Sequence, residues 1–303
     1  MQNDVIGIGL SCVDHLFIRD KQLEPTFHRA RQYMVQGGGL AATAMATVGR
    51  LGGRCELWTR VGADHPGDFV IEELRGFGVD TSQVVRIPEA QTPVDAVIVD
   101  ERGERFFNFF PGRGLDRYAD EPDYTRIDSA RCILIDTHWP EVQARAMRRA
   151  REAGTLVVAD FEHSDPRSRD LMRLTDVPIV SQECARGLSG SDDPAGALAV
   201  LVEYGARTPV VTLGAEGCIF ILDGRIDRQR ALSVEVVDTT GAGDAFHGAW
   251  CYGVAAGWKT RDVIAFASVV ASLNCRGLGG RTALPTLEEA LAAVRANFPE
   301  WNA

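Results

Sequence analysis

The feature that most constrains the fold is a regular alternation of short apolar runs and longer amphipathic segments in the middle of the chain. Short apolar runs predict buried strands, and apolar residues at helical spacing predict helices between them. An alternation of this length predicts a mostly parallel sheet with helices on both faces. The expected strands in this region are 133–136, 156–160, 177–180 and 209–213, and the expected helices are 141–153, 170–174 and 194–204.

The two ends of the chain extend the same pattern. Apolar runs bounded by glycines again predict strands, and small or amphipathic segments again predict helices. Before the middle region, the expected strands are 5–10 and 55–61, and the expected helices are 40–51 and 68–77. After it, the expected strands are 218–222 and 233–237, and the expected helices are 245–257, 261–273 and 287–297.

A hairpin interrupts this alternation. Residues 94–99 and 105–110 are predicted as two strands around a tight turn at 100–103, which is an excursion from the main sheet. With the mixed polar and aromatic segment 17–36, the hairpin predicts a small β lid. Because a lid hairpin has unpaired edges, we expect a homodimer that pairs two lids. The expected division is 1–16, 37–89 and 112–303 for the main α/β domain, and 17–36 and 90–111 for the lid.

Charge and cysteine content disfavour several classes of protein. The formal net charge is −10 at pH 7, whereas a general nucleic-acid binder is usually basic. The seven cysteines are scattered without a CxxC pair, which is typical of reduced thiols in a cytoplasmic protein. The N-terminal segment has no basic stretch followed by a long apolar core, so we expect no signal peptide. No apolar run reaches the roughly 18 residues that a membrane span needs.

The segment that carries chemistry is Asp238–Asp244, with the sequence DTTGAGD, at the start of a predicted helix. Glycines at a helix N-terminus let the backbone approach a ligand, and the free N–H groups there form an anion site with the helix dipole. Asp244 would take the proton of a substrate hydroxyl at the edge of that site. The amides of Gly241, Ala242 and Gly243 would stabilise charge on a transferred phosphoryl group. The alternative is a glycine-rich turn in which Asp244 caps the helix.

Other motifs are excluded or remain open. The segment 7–9 lacks the third glycine of a dinucleotide fingerprint and is interpreted as a turn at the end of a strand. The sequence contains no GxxxxGK[ST], which excludes a Walker-type NTPase. His247 would either orient the candidate base or pack in the core. Arg276 and Arg281 would either contact phosphate or be solvated.

The run VDTTGAGDAFHGA at 237–249 closely resembles the C-terminal signature of the ribokinase-like (PfkB) carbohydrate kinases. Three further segments match motifs of that family: Gly37-Gly38 with its small-residue helix, the VGxDxxG pattern at 61–67, and the TxGxxG pattern at 212–217. The resemblance covers the whole chain. It implies a ribokinase-like three-layer α/β/α sandwich with a mostly parallel central sheet and a small β lid. It also implies phosphoryl transfer from ATP to a hydroxymethyl group, with the base and anion hole named above.

The resemblance also assigns residues to each ligand. Asp14 looks like the aspartate that binds sugar hydroxyls, and Gly38 and Gly39 resemble the glycines that contact the acceptor. Mg²⁺ is expected with the nucleotide phosphates, and a potassium-like ion is implied because many members bind one. The residues that match the nucleotide site are Thr212, Gly214, Gly217 and Ser268. The residues that match the monovalent cation site are Asp238 and Thr240, with carbonyl oxygens near Cys275, Leu278 and Gly280.

Two positions depart from the family pattern. Ala42 stands where many members carry a sugar-binding asparagine. The NxxE motif, which is linked to Mg²⁺, is replaced by SQEC, so Glu183 is the remaining candidate one position away. Both departures, with the segments GGGLAATA, VSQECARGLSG and RGLGGRTALP, resemble the bacterial sulfofructose kinases of this family. His138 and Phe109 take the places of an arginine and an asparagine of that branch, so they are candidate acceptor contacts.

Several functions therefore remain open. The first is an ATP-dependent kinase for a sugar or sugar derivative, with a sulfofructose kinase as its more specific form. The second is a nucleoside kinase, in which Phe107, Phe109 and Phe110 would stack on a base. The third is a nucleotide- or sugar-binding regulator that has lost catalysis. All three need a small-molecule partner, and neither nucleic acid nor a membrane is expected.

Overall fold

The computed structural model describes residues 3–19, 27, 29–100, 105–117 and 122–303, and within these it contains two sheets. The strands are β1 (Val5–Ile8), β2 (Cys12–Ile18), β3 (Gln32–Gly38), β4 (Cys55–Gly62), β5 (Val84–Ile87), β6 (Val94–Val99), β7 (Arg105–Phe110), β8 (Cys132–Ile135), β9 (Leu156–Phe161), β10 (Val177–Ser181), β11 (Val210–Thr212), β12 (Cys218–Leu222) and β13 (Arg225–Gln229). The large sheet has the order β13-β12-β11-β10-β9-β8-β1-β4-β5. It is parallel from β5 to β11, and β12 and β13 complete it as an antiparallel hairpin.

Helices cover both faces of the large sheet. They are α1 (Leu40–Arg50), α2 (His65–Gly76), α3 (Pro140–Ala153), α4 (Pro166–Met172), α5 (Gln182–Ser189), α6 (Pro194–Glu203), α7 (Ala242–Ala255), α8 (Thr260–Asn274) and α9 (Leu287–Asn297). Strand side chains alternate between the two faces. In β8, Cys132 and Leu134 pack with α1, α7, α8 and α9, whereas Ile133 and Ile135 pack with α3 to α6. The predicted three-layer fold class is confirmed. None of the helices in the described ranges is long and apolar enough to cross a membrane.

The second sheet is small and has the order β3-β2-β6-β7. Its inner face buries Leu16, Ile18, Val97 and Val99 against Leu278, which lies in the loop after α8. The small sheet therefore packs on the main body next to the start of α7. The proposed turn of the hairpin includes residues 101–103, which lie outside the described residues, as do 20–26 and 28 of the predicted lid segment.

A tight turn after β4 is hydrogen-bonded to the segment that leads into the small sheet. The Asp64 carboxylate caps α2 by accepting a hydrogen bond from the Gly67 amide at 2.9 Å. It also accepts bonds from the Thr92 amide at 2.9 Å and the Thr92 hydroxyl at 2.6 Å. Because Thr92 lies two residues before β6, the VGADHPG turn fixes where this strand of the small sheet begins. These bonds lower the pKa of Asp64, against the effect of its burial.

Several element predictions were wrong in detail. Residues 233–237 form no strand; the strand at this edge of the sheet is β13, eight residues earlier in the chain. The sequence interpretation also missed β5 and α5, and it began α2 at residue 68 instead of His65. Asp64 and Pro66 explain the earlier start, since an N-cap carboxylate and a proline in the first turn both favour helix initiation.

Candidate active site

The anion-binding geometry lies at the N-terminus of α7. Gly241 is the N-cap residue with φ of 72°, a left-handed conformation that favours glycine. A Cβ atom at this position would lie 2.6 Å from the Cα atom of Gly280, so the two backbones touch. The loop after α8 therefore braces the turn that presents the first amides of α7, of which that of Ala242 donates to the Thr239 carbonyl oxygen at 3.2 Å.

Asp244 lies in the first turn of α7, in strongly acidic surroundings. Burial raises the pKa of the Asp244 carboxyl well above its ordinary value, and the negative charges of Asp160 and Glu162 raise it further. Arg281 lowers it to a smaller extent. The pKa of Asp160 is also raised, because this carboxyl is buried and lies near the negative charge of Glu162. A carboxyl with a raised pKa at a helix N-terminus is a candidate general base.

His247 contacts Asp160 and not the candidate base. Its Nδ1 atom lies 2.7 Å from the Gly243 carbonyl oxygen and 3.4 Å from Oδ2 of Asp160. Burial lowers the pKa of His247 to about 4, so the ring is neutral at physiological pH. His247 thus holds the first turn of α7 and touches a neighbouring carboxylate.

Asp136 is a buried carboxylate that sequence reasoning overlooked. It follows β8 and accepts hydrogen bonds from the Leu10 amide at 2.7 Å, the His138 amide at 2.8 Å and Nε2 of Gln143 at 2.9 Å. The amide of Ala41 in α1 lies 3.4 Å away. These bonds and the nearby imidazole keep the pKa of Asp136 low despite its burial. Asp136 therefore ties the start of α1 to the ends of β1 and β8, a tertiary role that a lone aspartate in a sequence does not reveal.

The candidate acceptor residues lie on the small sheet and the loop facing it. The ring of Phe109 makes an edge contact with His138, with centroids 6.3 Å apart. His138 Nδ1 lies 3.5 Å from Asp136, which raises the pKa of His138 against the effect of burial. Ala42 does not line this space, because it is fully buried in the apolar cluster under α1.

Glycines let Asp14 approach the start of α1. A Cβ atom on Gly38 would lie 2.1 Å from the Asp14 carboxylate, so a side chain there would displace it. Gly39 is the N-cap residue of α1 with φ of 91°, and a Cβ atom there would lie 2.5 Å from the Leu10 carbonyl oxygen. Burial raises the pKa of Asp14 to about 6.

Arg281 is fully buried, so the interpretation of it as a solvated arginine is wrong. Its guanidinium group donates to Glu73 at 2.7 Å, to the Gly38 carbonyl oxygen at 2.9 Å and to the Thr43 hydroxyl at 3.1 Å. Glu73 also accepts a bond from the Gly37 amide at 2.8 Å. One arginine thus connects α1, α2 and the end of β3 to the loop that braces the start of α7. Arg276, by contrast, is exposed at the end of α8.

The sequence-predicted nucleotide residues lie together around one cavity of about 360 Å³. Thr212, Gly214 and Gly217 line one side of it, and Ser268 lines another. Ala242 and Gly243 of the anion site line the same cavity, so the sites predicted for nucleotide and phosphate are continuous. The sequence interpretation missed the extended segment 231–236, which contributes much of the remaining wall. Residues 233–237, which overlap this segment, were predicted as a strand instead.

The loop proposed for a monovalent cation is held by Asp238. Its Oδ1 atom accepts bonds from the amide and hydroxyl of Thr240, and its Oδ2 atom accepts from the Gly279 amide at 2.8 Å. The Cys275 carbonyl oxygen accepts from the amides of residues 237 and 238, and the Gly280 carbonyl oxygen accepts from an asparagine side chain. Both oxygens are therefore engaged within the protein in this arrangement.

The segment that replaces NxxE lies at the start of α5. The Ser181 hydroxyl caps this helix by accepting from the Cys184 amide at 3.1 Å, and Cys184 is buried. Glu183 is exposed in the first turn. The described residues hold no group of three or more acidic, histidine or cysteine side chains arranged to bind a metal.

Comparison with known proteins identifies the family. The pfkB family carbohydrate kinase model matches residues 2–287. The ribokinase of Staphylococcus aureus (strain COL) is 24% identical, over 95% of this chain and 99% of that protein. A nucleoside kinase of Methanothermobacter thermautotrophicus is 28% identical, over 97% and 96%. The crystal structure of a candidate ribokinase from Agrobacterium tumefaciens matches with a TM-score of 0.91 and 30% identity, over 98% of each chain. The chain therefore belongs to the PfkB family of carbohydrate kinases.

Proposed function

We propose that this carbohydrate kinase transfers the γ-phosphoryl group of ATP to a hydroxymethyl group of a sugar or sugar derivative. One observation carries the proposal: Asp244 lies in the same helical turn as the anion-site amides that line the 360 Å³ cavity. A general base and an anion hole are thus joined at the end of a nucleotide-sized space.

Each residue then has a defined part in the reaction. Asp244 accepts the proton of the acceptor hydroxyl as its oxygen attacks the γ-phosphorus. The amides of Gly241, Ala242 and Gly243 receive the charge that develops on the transferred group. Asp14 and the backbone at Gly38 orient the acceptor. The small sheet acts as a lid, because closing it over the acceptor excludes water that would compete for the phosphoryl group.

The acidic side chains near the site suit a Mg²⁺ ion that arrives with the nucleotide, because the described residues contain no cluster that could hold a metal by itself. Mg²⁺ is commonly held by phosphates, water and one or two carboxylates, and it neutralises phosphate charge during transfer. Glu162 is exposed and acts on both Asp244 and Asp160, so it is placed to meet such an ion. Glu183 remains a second candidate. A monovalent cation at Asp238 would require the Cys275 carbonyl oxygen, which already accepts from two amides, to exchange a partner, whereas the Gly280 carbonyl oxygen could bind it with its second lone pair.

The base assignment is tested by Asp244→Asn. We expect kcat to fall by about 10³-fold, because general base catalysis contributes roughly 10²- to 10⁴-fold, while the Kd for ATP stays within about twofold. The assay follows ADP release with a panel of sugars, amino sugars, sulfosugars and nucleosides. Asp192→Asn, which alters an exposed carboxylate, is the matched control. A normal kcat in Asp244→Asn would show that another group is the base.

A nucleoside kinase is the second candidate. By register, Phe107 and Phe109 face the same side of the small sheet as Asp95, and both are exposed, so they offer an aromatic surface to a base. Phe110 faces the opposite side. Preference for adenosine or another nucleoside over every sugar in the same panel would favour this candidate. Family membership favours either kinase over a regulator without catalysis.

A cytoplasmic homodimer completes the proposal. The outer face of the small sheet carries Phe17, Tyr33, Val35, Phe106 and Phe110, several of them exposed, which forms an apolar face suited to a second copy. All seven cysteines are free and buried, which suits a reducing compartment.

A further inference from the structure

Two carboxylates stand side by side on the inner face of the small sheet. Asp14 on β2 and Asp95 on β6 are direct partners in the parallel pairing of these strands, so their side chains leave the same face from strands about 4.8 Å apart. The row continues with Gln36 on β3 and Phe109 on β7. Because Phe109 contacts His138, this row forms one wall of the space proposed for the acceptor.

Both carboxylates are buried with few donors. Asp14 is 8% exposed and Asp95 is 9% exposed. Asp14 accepts from the weak thiol donor of Cys12 at 3.2 Å. Within the described part of the chain, Oδ1 of Asp95 is buried and has no hydrogen-bond partner. A buried carboxylate oxygen without a donor is costly, which points to a partner that the protein itself does not supply.

Neighbouring polar groups are already committed elsewhere. Arg281 is the cation that acts on Asp14, but its guanidinium bonds go to Glu73, Thr43 and the backbone of Gly38. The Gln36 side chain donates to Thr282 and accepts from the backbone of Arg281. His138 is paired with Asp136. Asp14 has the thiol of Cys12 as a donor, and backbone amides of Ala96 and Asn108 act on Asp95, but Oδ1 of Asp95 has none. The pair therefore faces the acceptor space as two negative groups with few donors.

We propose that Asp14 and Asp95 form one dicarboxylate clamp that selects the acceptor by its hydrogen-bond donors and rejects an anionic group. The proposal rests on the kinase function above and adds Asp95 as a residue that determines specificity. A vicinal diol offers one O–H group to each carboxylate, and an ammonium group offers three N–H groups with a compensating charge. A sulfonate offers acceptors alone and is repelled by both. The clamp is therefore expected to disfavour the sulfonated acceptor that the resemblance to sulfofructose kinases implies.

The test compares the wild-type enzyme with Asp95→Asn, and with Asp192→Asn as the matched surface control. The acceptors are fructose and ribose as neutral sugars, glucosamine as an amino sugar, and 6-deoxy-6-sulfofructose as an anionic sugar. For the preferred acceptor, Asp95→Asn should raise KM by about 10- to 100-fold, because hydrogen bonds to charged groups contribute on that scale. The value of kcat should stay within about threefold, and KM for ATP should not change.

Comparing the acceptors shows whether the clamp prefers the O–H groups of a diol or the N–H groups of an ammonium group. If an ammonium group is preferred, glucosamine loses more affinity in Asp95→Asn than the neutral sugars do, because the variant removes a charge. If a diol is preferred, the neutral sugars lose more. The proposal is overturned if the wild type phosphorylates the sulfosugar as efficiently as fructose, or if Asp95→Asn leaves every acceptor KM within about twofold.

A binding measurement separates this proposal from the proposed function. Calorimetry measures acceptor Kd in the presence of a non-hydrolysable ATP analogue for the same three proteins. If no acceptor is phosphorylated, the kinase assignment fails, yet neutral or amino sugars that bind the wild type and not Asp95→Asn still support the clamp. Equal binding to both proteins, or binding to neither, overturns it. Asp95→Asn is nearly isosteric, and a melting temperature at least equal to that of the wild type verifies that it folds.

Discussion

Burial raises the pKa of Asp14 from its ordinary value of 3.8 to about 6, so the folded protein keeps a proton that the unfolded chain releases first. The stability from this difference is fully present below pH 3.8 and is lost as the pH rises through about 6. Its total is about 3 kcal/mol at 1.36 kcal/mol per pH unit. Asp14→Asn should therefore gain stability relative to the wild type, by up to about 3 kcal/mol, between pH 4 and pH 8. Urea unfolding of both proteins at the two pH values measures this, and a constant difference would contradict it.

The pH profile of turnover should report Asp244. A base must be ionised to accept a proton, so kcat/KM falls as the pH drops through the raised pKa of this carboxyl. Asp160→Asn removes the negative charge that raises this pKa most. We therefore expect the acid limb of the profile to move to lower pH in Asp160→Asn, measured from pH 4.5 to 8.5 with the preferred acceptor. An acid limb that stays in place would mean that another group sets it.

At the scale of elements, Arg281 holds four segments together. Arg281→Met would leave the half-buried Glu73 without its cation and the Gly38 carbonyl oxygen without its donor. Removing one partner of a buried ion pair costs about 3–5 kcal/mol, so we expect that loss in the free energy of unfolding. Denaturant unfolding checks it. Arg230→Met, which alters an exposed arginine after β13 whose side chain donates to the last carbonyl oxygen of α9, should change stability by less than about 1 kcal/mol.

A second prediction at the scale of elements concerns the stability of the turn that begins α7. Gly241→Ala places a Cβ atom 2.6 Å from Gly280 in a left-handed conformation, so it should destabilise the protein by more than about 1 kcal/mol. Gly243→Ala is the matched control, because a Cβ atom there meets nothing within 4 Å and alanine favours a helix. Thermal unfolding of both variants separates them. Equal melting temperatures would show that the two backbones can move apart.

Elements with their own apolar periodicity could be predicted, and elements defined by tertiary contacts could not. The buried strands from β8 to β12 and the helices α3 and α7 to α9 carry that periodicity in their residues. The edge strand β13, with the sequence RIDRQ, carries too little of it, so the apolar segment 233–237 was assigned in its place. Val236 and Val237 are more than half exposed, and Val236 lines the cavity, so this apolar segment is not buried as the strands of the sheet are.

The same reasoning applies to the site. A contiguous motif such as DTTGAGD states its chemistry locally, so the base and anion hole could be predicted from it. Asp136 and Asp95 carry no local signal, because their significance depends on which strands become neighbours. Ala42 was assigned to the acceptor by alignment alone, and its side chain lies instead in the apolar core.

At the scale of the whole molecule, the apolar outer face of the small sheet predicts a dimer that can be disrupted. Tyr33 is 54% exposed on β3 and Phe110 is 43% exposed on β7, and both project from this face. Tyr33→Glu with Phe110→Glu would bury two charges in a dimer interface, so sedimentation equilibrium should give the monomer mass of 33.0 kDa. Val202→Glu, at an equally exposed apolar position on α6, should remain dimeric. A monomeric wild type at micromolar concentration would remove the basis for a paired lid. If the monomeric variant keeps its kcat, each lid closes over its own site without help from the partner.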